Sequence, residues 1–242
     1  MGEDPLLVAV LGDVVASRRH PSRSDLKEAL EGALGVANSR TAPLQLLTPT
    51  IGDEFQGLYT NLADALEATL LVRLSLVGVV DVRFGVGYGA LTAYHEDRAP
   101  FEQDGPAWWA ARAAVERAKA MSRQQEMPKG VRTVYVDSSL PSKEGSAQVG
   151  RREVAGEDDR PPEGDTGGIA SLVNAFLMCR DELVAPMDAR DAETMLYLLE
   201  GETLSMIANI QDVTLSAVSQ RAISGGMYAL RKAHGELRET LG

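Results

Sequence analysis

The chain has 242 residues, 44% of them hydrophobic, which allows a real core in one large domain or two modest ones. Its formal net charge of -11 works against indiscriminate binding to nucleic-acid phosphates, although a few side chains on one element can still read a sequence. Cys179 is the only cysteine, which excludes an internal disulfide and fits a reducing cytoplasm.

The first apolar run, Leu6 to Leu11, follows Glu3 and Asp4 and stops at Gly12-Asp13, so it is expected to be a buried strand and not a signal peptide. Leu26, Ala29, Leu30, Ala33, Leu34 and Ala37 recur at helical spacing. Leu44 to Ile51 reads as a second strand, Gly52-Asp53 as a hairpin turn, and Phe55 to Tyr59 as the returning strand. Asn61 caps a helix that carries Ala65, Leu66, Leu70, Leu74 and Val77 on one face. Val80, Val82, Phe84 and Val86 alternate with polar or small residues, which is the period of a strand. Gly105-Pro106 opens an Ala-rich helix to Met121, and Val131 to Val136 is one more strand.

The order is β-α-β-β-α-β, then α-β, which predicts an α+β chain whose first part, residues 1–140, is ferredoxin-like. Residues 141–168 are rich in Gly, Pro, Ser and charge, and are expected to be a flexible linker or insertion. Residues 169–242 read as an all-α helix-turn-helix domain. Its signals are a cap at Asp188 or Asp191, a stop at Gly201, a short helix from Thr203 to Ile210 and a second cap at Thr214. No run approaches a membrane span.

Asp13 ends the first strand, while Asp53 and Glu54 sit at the hairpin turn. If those strands are neighbours, the three carboxylates converge at one sheet edge, where hard oxygen ligands favour Mg²⁺ or Mn²⁺. The competing reading is that Gly52-Asp53 is only a turn and Asp13 only a polar strand end. Arg83 and Arg112 could be solvated or paired with Asp81 and Glu116. Trp108 and Trp109 suit packing. His20, His95 and His234 are scattered and suggest no histidine-based metal site.

The segments Leu11 to Val15, Thr50 to Phe55 and Arg83 to Gly89, with Ala110-Ala111-Arg112, resemble the palm domain of class III nucleotidyl cyclases. Gly52-Asp53-Glu54-Phe55 is also similar to the diguanylate cyclase signature. With Gly52 to Gly57, Arg83 to Gly87, Asp104 to Ala107 and a C-terminal helix-turn-helix, most of the chain resembles the SatD family. The resemblance implies a nucleotide held near Gly12, Gly52 and Arg83, with a cation on Asp13, Asp53 and Glu54; Ser17, Arg18 and Arg19, close behind Asp13, are either partners for the nucleotide's phosphate oxygens or a solvated loop. It also implies Arg112 as the group that would stabilise developing charge in an enzyme. Pro49 and Trp108 stand where the cyclases have a base-reading lysine and a transition-state asparagine, which suits nucleotide binding better than cyclisation.

The C-terminal helices are similar to the helix-turn-helix of sigma-factor region 4. That likeness implies DNA contact by Ser216, Ser219, Gln220 and Arg221, by a homodimer. Five basic residues against eight acidic ones between Pro186 and Gly242 leave a helical partner-docking module as the alternative. The expectation is therefore a cytoplasmic, ligand-responsive DNA-binding regulator. A nucleotidyl cyclase and a non-catalytic scaffold are the alternatives.

Overall fold

The computed structural model describes residues 5–17, 20–50, 52–91, 104–139 and 168–241. Five strands form one sheet: β1 (Leu6–Val14), β2 (Pro43–Pro49), β3 (Glu54–Tyr59), β4 (Val82–Ala90) and β5 (Thr133–Asp137), in the order β2-β3-β1-β4-β5. β1 pairs antiparallel with β3 and β4, while β5 runs parallel to β4. With α1 (Arg23–Arg40) and α2 (Leu62–Ser75) between the strands, the first six elements have the ferredoxin-like plan.

β1 is central, and its side chains alternate between two cores. Val8, Val10 and Val14 join Phe55, Phe84, α1 and α2 on one face. Leu7, Ala9 and Leu11 join Trp108, Ala111 and Val115 of α3 (Pro106–Met121) on the other. This two-sided burial explains why β1 reads as a continuous apolar run. α3 can lie on the sheet because β4 presents a strip of glycines to it. A Cβ on Gly85 would stand 2.0 Å from the Ala111 carbonyl oxygen, and one on Gly87 would stand 2.2 Å from the Ala111 nitrogen.

The segment expected to be a linker, 141–168, lies outside the described residues except for Gly168, which opens α4 (Gly168–Val184). α4 packs on the same core as α1 and α2 through Ala170, Val173 and Leu177. It is locked there by charge. The buried Asp181 carboxylate accepts from the backbone N–H of Arg132 (2.7 Å) and Thr133 (2.6 Å) and pairs with Arg73 of α2 (2.7 Å). Arg180, also buried, donates to the Leu66 carbonyl (3.0 Å), Thr69 (3.1 Å) and Thr133 (2.6 Å).

Both strands at the borders of the sheet are closed by an asparagine. Asn38 of α1 accepts from the Leu47 N–H (2.8 Å) and donates to its carbonyl (2.9 Å). Asn174 of α4 does the same to Tyr135, at 2.9 and 2.8 Å.

The remaining helices are α5 (Ala189–Glu200), α6 (Leu204–Ile210), α7 (Leu215–Ser224) and α8 (Met227–Leu241). Asp188 caps α5 in a capping box with Asp191, Gly201 ends it at φ 88°, and Thr203 and Thr214 cap α6 and α7. Their core, with Met195, Ile207, Val218 and Leu230, also takes Leu70 and Leu74 of α2. α2 thus serves two cores, and every residue from Leu62 to Leu74 is buried. The one-faced helix expected from Ala65, Leu66, Leu70, Leu74 and Val77 is corrected. The polar residues opposite that stripe are also covered, because Asp64 and Glu67 meet Arg238 of α8 while Arg73 meets Asp181 of α4. Burial pushes the Glu67 carboxyl up against the pull of Arg238 and Arg40. Among the described residues, no helix is long and apolar enough to cross a membrane.

His234 of α8 is buried with both ring nitrogens unpartnered, its ring stacked on Phe176 of α4. Burial, aided by Arg180 and Arg238, pushes its pKa down to about 3. The unfolded chain, with an ordinary value near 6.5, then binds the extra proton first. Stability is full above pH 6.5 and falls as pH drops toward 3, by roughly 2–3 kcal/mol at pH 4.5. Urea melts across this range should show the loss, and His234→Leu should flatten that part of the profile.

Candidate functional site

One end of the sheet gathers the residues singled out by the sequence: the C-terminal end of β1, the β2–β3 turn and the start of β4. The strand register sets Asp13 opposite Glu54 on one side and opposite Arg83 on the other. The three side chains therefore form a row on the face that carries α3. Arg83 reaches Asp13 at 3.3 Å, and Lys119 of α3 stands 3.7 Å from the same oxygen. Arg112 holds both oxygens of Glu54, at 2.8 and 3.0 Å. The pairings considered from sequence, Arg83 with Asp81 and Arg112 with Glu116, give way to these. Asp81 is taken by Arg132 at 2.5 Å.

Asp53 is engaged elsewhere. Its carboxylate accepts a short hydrogen bond from the Ser17 hydroxyl. Ala16 takes a left-handed φ of 54° next to Ser17, an uncommon conformation for a residue with a side chain. Ser17, Thr50, Gly52 and Asp53 line a cleft of about 700 Å³, with Arg23, Lys27, Leu26 and Leu30 of α1 opposite. Gly52 has φ 81° in the turn, and the Thr50 N–H closes the hairpin on the Glu54 carbonyl at 2.8 Å.

The implied divalent cation does not fit this arrangement. Asp13 and Glu54 are already paired with Arg83, Lys119 and Arg112, while the Asp53 carboxylate accepts from Ser17. Among the described residues, no group of three His, Cys, Asp or Glu side chains could hold a metal. The expected carboxylates thus lie at one end of the sheet, Asp13 and Glu54 in an ion-paired row and Asp53 beside them on Ser17, its carbonyl accepting from the Val14 N–H at 3.1 Å. The strand register brings Arg83 to Asp13, and α3 supplies Lys119 and Arg112 to the same row.

The other expected nucleotide contacts divide. Ser17 and Gly52 line the cleft, Arg83 belongs to the ion-paired row, and Arg18 lies outside the described residues. Gly12 is closed off, since a Cβ there would meet the Phe55 ring at 2.0 Å. Trp108 is buried in the α3 core, whereas Trp109 is 60% exposed and donates its indole N–H to Asp104 at 2.7 Å. Sequence reasoning missed Arg23 and Lys27. The available signal was two cations at the start of α1, where the helix dipole disfavours positive charge.

In the helix-turn-helix, Ser216 and Gln220 are exposed and Ser219 is half-buried. Arg221 was expected to face outward, and it does not. Its guanidinium pairs with Asp191 of α5 at 2.9 Å and reaches Gln211 at 3.4 Å, so it braces α7 against α5. The exposed face carries Met206, Ile210, Leu215 and Ile223.

Solved structures similar to the chain include two of a bacterial light-regulated adenylyl cyclase. The first is 13% identical with a TM-score of 0.38, over 56% of this chain and 77% of that one. The second is also 13% identical, with a TM-score of 0.36, over 56% of this chain and 44% of that one. No curated protein matches the chain. Residues 7–125, the span from β1 through α3 that carries the ion-paired row and the cleft, match the family model of the SatD family.

Proposed function

We propose that the sheet domain is a cyclase-like, non-cyclising domain that binds a phosphorylated ligand of the nucleotide class. The carrying observation is the cleft at the β1–α1 junction, which sets Arg23 and Lys27, the latter 3.6 Å from Glu31, opposite Ser17 and Thr50, whose hydroxyls donate to Asp53 and the Glu54 carbonyl, beside an apolar strip from Leu26 and Leu30. Hydroxyls and cations suit phosphate oxygens, and the apolar strip suits a base or ribose face. Turnover as a cyclase is disfavoured by the same geometry. Trp108 is core packing, Arg112 is bound to Glu54, and the carboxylates carry their own internal cations.

The test is isothermal titration of the full chain with ATP, GTP and their diphosphates, with and without Mg²⁺ or Mn²⁺. At least one should bind, and Arg23→Ala with Lys27→Ala should weaken it by about tenfold or more, as loss of charge-assisted hydrogen bonds does. Absence of binding by every nucleotide would end this reading. A cyclic product abolished by Asp53→Ala would put the competing nucleotidyl cyclase reading first.

For the helical part, a partner-docking role is favoured over DNA reading, because the one basic residue of α7 is paired with Asp191 and the exposed Leu215 and Ile223 set apolar groups beside the polar Ser216 and Gln220. Arg221→Ala is expected to lower stability by about 1 kcal/mol in a urea melt, as loss of a half-buried charged contact does. A base-reading arginine would instead leave the melt unchanged and weaken binding to a selected DNA site.

A further inference from the structure

A second cleft, of about 790 Å³, opens where the sheet meets the C-terminal helices. Its walls come from three segments far apart in sequence: the α2–β4 turn, the loop before β5 and the α4–α5 junction. Its volume falls in the range of ordinary small-molecule sites. One wall is apolar, with Val79 and Val80 facing Val184 and Met187. The rim is polar, and its charges are unequally committed. Arg73 is spent on Asp181 and the Gly130 carbonyl, and Asp81 is spent on Arg132. Glu182 turns inward to accept the Gly130 N–H. Among the described residues, Lys129 donates only to the neutral Gln124 carbonyl, at 2.7 Å, and Arg132 Nη1 only to the carbonyls of Lys129 and Val131. Lys129 thus keeps its charge for a ligand at the mouth of an apolar wall, with Arg132, ion-paired to Asp81 through Nε, beside it.

We propose that this cleft binds a small organic anion with an apolar body, its acidic group on Lys129 and Arg132 and its body on the valine wall. Val80 belongs to the sheet core, while Val184 and Met187 belong to the core of the C-terminal helices. A ligand here touches both and fastens the α4–α5 junction to the sheet, so occupancy stabilises the contact between the two parts. The site is separate from the β1–α1 cleft and does not depend on the nucleotide reading.

The experiment uses the full chain and octanoate as the probe, with octanol and inorganic phosphate as the uncharged and the purely anionic controls. Octanoate should give a saturable rise in Tm, because a ligand that binds only the folded state stabilises it. Neither control should match it at equal concentration. Lys129→Ala, at an exposed position, should keep the Tm of the free protein and weaken octanoate by about tenfold, the effect of one charge-assisted hydrogen bond. A Val79→Asp variant should also weaken it. An octanoate effect matched by phosphate, or one unchanged in Lys129→Ala, or no effect at all, overturns the proposal.

Discussion

Replacing Asp181 with alanine is expected to cost about 3–5 kcal/mol, the usual consequence of removing one partner from a buried ion pair. Its carboxylate is fully buried and serves Arg73, Arg180, and the N–H groups of Arg132 and Thr133 at once. Without it, two guanidiniums are left beside each other in the core, and two strand-entry N–H groups lose their acceptor. Arg73 and Arg180 already repel one another, and burial holds the Arg180 guanidinium below its ordinary range. Asp181→Asn keeps an acceptor but not the charge, and should lie between wild type and alanine. The measurement is urea unfolding followed by circular dichroism. Because α4 joins the helices to the sheet through this cluster, Asp181→Ala should also split the single transition in two. A single transition with less than 1 kcal/mol of loss would show that the cluster contributes no net stability.

Adding one methyl group at Gly85 should be as damaging. The Cβ of Gly85→Ala would fall 2.0 Å from the Ala111 carbonyl oxygen and 2.6 Å from the Val115 nitrogen. Backbone atoms of a helix cannot rotate away as a side chain can, so α3 must move off the sheet. Overpacking commonly costs about 1–3 kcal/mol, and a clash with backbone belongs at or above that upper end. Gly35→Ala is the internal contrast. It lies exposed within α1 with nothing within 4 Å of the added carbon, so it should stabilise by roughly 0.5–1 kcal/mol. Equal melting of Gly85→Ala and wild type would mean that α3 does not sit this close to β4.

The contrast between these glycines marks what the amino-acid sequence could reveal. Strand period, helix period and caps are local, so β1 through β5 and the caps at Asn61 and Thr214 were legible, the cap of α5 was narrowed to Asp188 or Asp191, and Thr203 was read as a helix start and not as its cap. The glycines after Arg83 were legible as a motif, yet their purpose depends on α3, which crosses them from about twenty residues away. The same limit applies to the site. Asp13, Asp53 and Glu54 were rightly placed at one end of the sheet. Which cations share that end is decided by cross-strand register and by α3, and no spacing in the sequence encodes it. α2 was the hardest element. Asp64, Glu67 and Arg73 look like a solvent face by composition, and only the arrival of α4 and α8 makes them interior.

The two asparagines at the sheet borders bear on how the protein ages. A border strand with free amide groups is a template for runaway β-stacking between chains. Here one carboxamide on each side occupies both hydrogen-bonding positions of a strand residue, Leu47 and Tyr135. Spontaneous hydrolysis of either carboxamide to an acid removes the donor to the strand carbonyl and sets a negative charge against it. Deamidation in long-stored protein would therefore release one hydrogen-bonded residue on each border strand, Leu47 and Tyr135.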